Sequence, residues 1–138
     1  MAARAYAEQT GELFVEDGAE PAIAEGAGSI AVELAAWPQP IDAVYLPVGN
    51  GALVTGVGRW LKAHAPETEI VGVCAAGASA MFDSWRAGAP SATERAATIA
   101  DGIAVRVPIE RAVGDLASSV DRTVLDEAKE RLPVGQRP

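Results

Sequence analysis

The sequence predicts an α/β fold, a three-layer sandwich around a mostly parallel sheet, and three observations carry that reading. The first is the apolar, β-branched run Ala43–Leu46, which feeds a glycine turn (VGNGAL) and then a helix-like segment (VTGVGRWLKA). The second is another buried-strand pattern at Glu69–Cys74, so that strand, helix and strand fall within about thirty residues, the span of a right-handed βαβ unit. The third is composition: 49% of residues are apolar and only 5% aromatic, which suits helices packed closely on a sheet better than an aromatic-rich β-sandwich. The 138 residues are enough for one domain with a hydrophobic core, and no repeat or second domain interrupts them.

Taken in order, Ala2–Gln9 reads as helix, with Gly11 in the position that closes a helix C-terminus. Leu13–Val15 reads as a short extended piece and Glu16–Pro21 as a polar loop. After EGAGS, Ser29 is placed as the N-cap of a helix whose Ile30, Leu34 and Trp37 share one face, closed by Pro38 and Pro40. Ala43–Leu46 is apolar almost throughout, the pattern of a strand covered on both faces. The helix after the glycine turn is expected over Leu53–Ala63, ending before Pro66. Ser79 is read as the cap of a helix through Ala87, stopped by Gly88 and Pro90, and 91–97 as a polar loop. The Asp101–Gly102 pair signals a turn, Pro108 opens a helix running to about Ser118, and Val120–Leu125 is a third strand. Asp126–Leu132 reads as a helical stub and 133–138 as a loop-like tail, all within a single domain.

Charge and cysteine content exclude several classes. A net charge of −8 with no Lys/Arg run repels nucleic acid and acidic membranes alike. One cysteine forms no internal disulfide, so the chain needs no oxidising compartment. Neither a signal-peptide core nor a membrane-length apolar run is present, and the cytoplasm is the expected location. A small-molecule ligand is the expected partner, with neither nucleic acid nor membrane.

The glycine turn is where chemistry concentrates. A strand, a tight glycine loop and a helix start present backbone N–H groups and a positive helix end to whatever lies above the turn, and phosphate is the commonest such anion. A glycine turn alone also occurs as plain βα structure. A dinucleotide turn is disfavoured twice: counting from Gly49 and Gly51 puts Val54 where the third glycine belongs, and Cys74 stands near where a ribose-binding acid is needed. A P-loop lacks its Gly-Lys-Ser/Thr ending.

Four collinear stretches resemble instead the fold type II pyridoxal-phosphate enzymes, the tryptophan synthase β-like superfamily, and within it the threonine dehydratase and serine racemase group. They are GAGSIAVEL at 26–34, PVGNGALVTG at 47–56, IVGVCAAGASAMFDS at 70–84 and TIADGIAVR at 98–106. The resemblance extends from about Ala5 to Asp126 and implies part of the large, cofactor-holding domain of that fold.

The resemblance assigns the cofactor phosphate to main-chain N–H groups of Gly49, Asn50, Gly51 and Ala52, with Leu53 close by, and places Gly102 near the ring of pyridoxal 5′-phosphate. Asn50 and Ala52 stand where the family has glycine; the donors are backbone atoms, and Asn tolerates a left-handed conformation better than Ala does. Asp101 is read as turn chemistry. The positions matching a family cation site are Cys74, Ala78 and Ala80, which lack the two carboxylates, so no metal is expected. Cys74 is read as a small buried hydrophobe and His64 as a surface residue.

No catalytic residue is assigned within the chain. The family's Schiff-base lysine lies in an S-F-K-x-R-G-like motif that is absent here, neither Lys62 nor Lys129 matches it, and the serine that meets the pyridine nitrogen is missing too. The function implied is part of a threonine/serine ammonia-lyase-like enzyme that eliminates the β-hydroxyl of an amino acid and yields a 2-oxo acid and ammonia. The isolated chain is expected to be inactive, as a fragment lacking the N-terminal part and the C-terminal end. The alternatives are a non-catalytic phosphate-binding module and a truncated gene product. An amino-acid substrate is implied, and the intact enzyme is compatible with a homo-oligomer.

Overall fold

The computed structural model describes residues 2–127. Its centre is a three-stranded parallel sheet in the order β1-β2-β3, with β1 at Ala43–Pro47, β2 at Glu69–Ala75 and β3 at Arg122–Asp126. The register sets Tyr45 beside Val71 and Val71 beside Arg122. The α/β class and parallel sheet expected from the sequence are what the chain has.

Helix α4 (Ala52–His64) joins β1 to β2 and is the core's main helix. Val54, Val57 and Leu61 recur at helical spacing and are buried against Leu46, Val48 and Ile70 of the sheet side and Val113 and Leu116 of α6 (Glu110–Ser119). Two short helices, α2 (Pro21–Ala27) and α3 (Ser29–Ala35), pack on α4's other flank. Helix α1 (Ala2–Thr10) precedes them and ends at Gly11, whose N–H donates to the Ala7 carbonyl, as expected. After β2, a 3-10 turn at Ala76–Ala78 leads into α5 (Ala80–Ala87), which closes on left-handed Gly88. Residues 91–97 hold no regular element, and Asp101–Ile103 form a second 3-10 turn.

Several expectations need correction. The loop expected over Glu16–Pro21 ends before Pro21, which opens helix α2 and sits in its first turn, where its missing N–H costs nothing. Ser29 is therefore no N-cap. Gly28 takes that place, and the Ser29 hydroxyl donates back to the Gly26 carbonyl at 2.8 Å. Ser79 caps α5 by position, but its hydroxyl donates to the Asp83 carboxylate, not to accept a backbone N–H. Pro108 lies just ahead of α6, whose N-cap is Ile109. Ile30 and Trp37 face solvent, leaving Ala31 as the buried residue of α3. Strand β1 is not covered on both faces: Tyr45 is 60% exposed, and Arg122 reaches its hydroxyl while pairing with Glu69 at 2.8 Å. The stub's residues from 128 on and the 133–138 tail lie outside the described residues.

Candidate functional site

The glycine loop hangs between two fixed points. Upstream, the Val48 N–H donates to the Val73 carbonyl at 2.8 Å, carrying the sheet ladder up to the loop. Downstream, the Thr55 N–H donates to the Gly51 carbonyl at 2.9 Å as α4's first intrahelical bond. The amides of Ala52, Leu53 and Val54 precede that bond and so have no intrahelical acceptor. No side chain caps this end of the helix. The site therefore offers backbone donors and the positive end of a 13-residue helix dipole, which together suit an anion.

Gly51 adopts the left-handed conformation (φ 90°) that turns the loop into the helix. Among the described residues no non-glycine has positive φ, so Asn50 and Ala52 carry their side chains without backbone strain. The left-handed role considered for Asn50 belongs to Gly51.

Gly49, Asn50, Gly51, Ala52, Leu53 and Gly102 all line one cavity of about 560 Å³, at the carboxyl end of β1. The chain brings Gly102 to the loop although fifty-odd residues separate them: a Cβ on Gly49 would meet the Gly102 carbonyl oxygen at 3.3 Å and the Ile103 Cα at 3.5 Å. A Cβ on Gly102 itself would meet nothing within 4 Å and would enter open space. The open space at Gly102 and the free amides of the loop would fit a phosphate held by main-chain amides with an aromatic ring beyond it. Among the described residues no Lys or Arg lines the cavity. Asp17 and Asp101 do, and the sequence reading gave no role to Asp17. Its only sequence signal is its place beside Gly18, in the turn that packs on Asn50.

The other singled-out residues lie elsewhere. Cys74 is buried, and burial first, with the Asp83 charge second, pushes its thiol up to about 12, which leaves it un-ionised and inert. His64 stacks on Trp60 with ring centroids 4.1 Å apart, at the opposite end of α4. Lys62 pairs with Asp121 at 2.5 Å, about 16 Å along the helix from Gly51. Among the described residues no group of three His, Cys, Asp or Glu side chains could hold a metal ion, and no helix is long and apolar enough to cross a membrane.

A parallel sheet with an uncapped helix start over a cavity at a strand's carboxyl end defines the class as an α/β protein with a candidate anion site. Residues 1–130 match the sequence pattern of the family described as pyridoxal-phosphate dependent enzyme, and the chain belongs to that family. It is 34% identical over 120 residues to the L-threonine ammonia-lyase of Thermotoga maritima, a match covering 87% of this chain and 29% of that protein. A biosynthetic L-threonine dehydratase of Pasteurella multocida is 31% identical over 121 residues, covering 88% of this chain and 23% of the relative. The solved structure of processed threonine deaminase isoform 2 from Solanum lycopersicum superposes with a TM-score of 0.84 at 32% identity, covering 89% of this chain and 36% of that one. Maize serine racemase, at 24% identity and a TM-score of 0.82 over 91% of this chain and 39% of its own, shares the fold. The chain thus spans less than a third of the length of these two curated relatives.

Proposed function

We propose that the chain is the phosphate-holding part of a pyridoxal-phosphate-dependent threonine/serine ammonia-lyase-like enzyme, which converts a hydroxy-amino acid to a 2-oxo acid and ammonia. The observation that carries this reading is the convergence of the Gly49–Leu53 loop and Gly102 on one cavity, at a helix end left without a side-chain cap. The names of the relatives support the reaction class.

In this reading the N–H groups of Gly49, Asn50, Gly51, Ala52 and Leu53 hold the cofactor phosphate, and the α4 dipole adds to them. Gly102 leaves room for the pyridine ring. Bound there, pyridoxal phosphate supplies an electron sink for loss of the amino acid's α-proton. Among the described residues the one lysine, Lys62, supplies no Schiff-base amine to this site, since it is paired with Asp121 at the far end of α4. The isolated chain is accordingly proposed to bind without catalysing. The cytoplasm is the proposed compartment, since a single buried cysteine needs no oxidising surroundings.

A chimera tests the activity. Residues 5–126 of this chain replace the matching stretch of the Thermotoga maritima enzyme, and 2-oxo acid release from L-threonine and L-serine is measured. Retained release with either amino acid is expected. A folded, cofactor-loaded chimera that releases none from either would contradict the reading.

A further inference from the structure

The glycine loop is clasped from outside. On one side the turn 16–20 closes on itself through Ala19 N–H and Glu20 N–H donating to the Glu16 carbonyl, at 3.0 and 3.3 Å. At its apex Gly18 adopts φ +81°, and a Cβ there would lie 2.7 Å from the Asn50 carbonyl oxygen and 2.9 Å from the Asn50 Cβ. On the other side, a Cβ on Gly51 would lie 3.8 Å from the Ala112 carbonyl oxygen of α6. The Asn50–Gly51 peptide thus has a backbone neighbour on each side, crowded by the Gly18 turn and at ordinary contact distance from α6, with the cavity open beside it.

That contact sets a direction. Peptide groups are planar, and no cis bond occurs among the described residues, so the Gly51 N–H points opposite to the Asn50 carbonyl. Anything that turns the Asn50 carbonyl turns the Gly51 donor by the same angle. The three atoms nearest Gly18's Cβ position all belong to Asn50, and none is the free end of a flexible side chain, so an added Cβ has to separate the 16–20 turn from the loop backbone.

We infer that Gly18 is a positioning residue for the phosphate cradle: its bare Cα lets the 16–20 turn fix the Asn50 carbonyl and, through it, the aim of the Gly51 N–H. The inference rests on the phosphate-site reading above. It extends the working site to a segment before α2 that none of the four family-like motifs includes.

The test uses the full chain, isotope-labelled, with inorganic phosphate as the probe at neutral pH, and reads phosphate affinity, the Gly51 amide resonance without phosphate, and thermal midpoint. Three variants are compared. Gly18→Ala adds both the Cβ and the cost of positive φ. Gly18→Asn adds the Cβ in a residue that tolerates positive φ. Gly11→Ala is the control, because Gly11 shares a positive φ (+75°) yet a Cβ there meets nothing within 4 Å.

Both Gly18 variants are expected to shift the free Gly51 amide and to weaken phosphate binding about tenfold, the worth of one hydrogen bond to a charged acceptor. Gly11→Ala is expected to lower the midpoint while leaving phosphate affinity and the Gly51 amide unchanged. A folded Gly18 variant that binds phosphate as the unmodified chain does would overturn the positioning role and leave the site reading intact. Unfolding of both Gly18 variants while Gly11→Ala stays folded would also overturn it, because Gly18 then serves the fold alone. Failure of the unmodified chain to bind phosphate would overturn the site reading and this inference together.

Discussion

Gly49 and Gly102 face each other across the cradle, so that a Cβ on Gly49 would sit 3.3 Å from the Gly102 carbonyl oxygen, whereas a Cβ on Gly102 would project into open space. Packing thus explains glycine at 49, whereas glycine at 102 has its reason in the proposed cofactor site. Gly102→Ala is expected to leave stability within about 0.5 kcal/mol while weakening pyridoxal phosphate binding. Gly49→Ala is expected to cost about 1–3 kcal/mol of stability as well, because the added methyl crowds backbone atoms. Paired denaturant titrations and cofactor titrations distinguish the two patterns.

Gly56 makes the tightest helix crossing near the site. A Cβ there would drive into the Ala24 carbonyl oxygen of α2 and lie 2.8 Å from the Gly28 nitrogen. Gly56→Ala is expected to destabilise the chain by about 2 kcal/mol or more, although alanine is the better helix former by nearly 1 kcal/mol. A urea midpoint that rises instead would show that α2 does not rest on α4 as described.

Asp17 brings a carboxylate to a cavity that otherwise suits an anion. Asp17→Asn removes a like charge, and phosphate affinity is expected to rise about two- to fivefold at low salt, with the gain shrinking as salt is added. Calorimetric titration at two ionic strengths checks this. Unchanged affinity at both would place the bound anion away from Asp17.

The sheet carries an acid-sensitive tie. The Asp121 carboxylate is held below its usual range, first by the Lys62 ammonium and then by the Ile70 N–H at 2.8 Å. A depressed carboxyl stabilises the fold above its unfolded value, and that contribution is lost as pH falls through the folded one. Glu69 is lowered in the same direction by its hydrogen bond to Arg122. Both groups are largely exposed, so the effect is modest. Asp121→Asn is expected to flatten the acid limb of the stability profile below about pH 4, without moving the neutral plateau by more than about 1 kcal/mol. An acid limb of unchanged slope would contradict it.

The elements read most directly from sequence were those with strong period and clear punctuation. The glycine turn before it and Pro66 after it marked α4, and the apolar run Glu69–Cys74 marked β2. The loop was legible because a strand, the glycines at 49 and 51 and a helix start follow one another in the sequence; the positive φ at Gly51 is local, whereas the crowding at Gly49 comes from distant Gly102. Helix α2 was not, since Glu25-Gly26-Ala27-Gly28 reads as a breaker, and only Pro21 in its first turn signals a start. The open face at Tyr45 was hidden because an apolar strand looks alike with one face covered or two. Gly18 was unreadable for a different cause: its requirement comes from Asn50, 32 residues away, and no local pattern records such an approach.

The most direct test of the central claim is an amide-resolved titration of the isotope-labelled chain with pyridoxal 5′-phosphate. Saturable shifts, largest at Gly49, Asn50, Gly51, Ala52 and Leu53 and extending to Gly102, are the expected result, and inorganic phosphate should reproduce the loop shifts without the one at Gly102. No saturable shift, or shifts centred on the separate groove that Gly28, Val32, Trp60 and His64 line between α3 and α4, would contradict it.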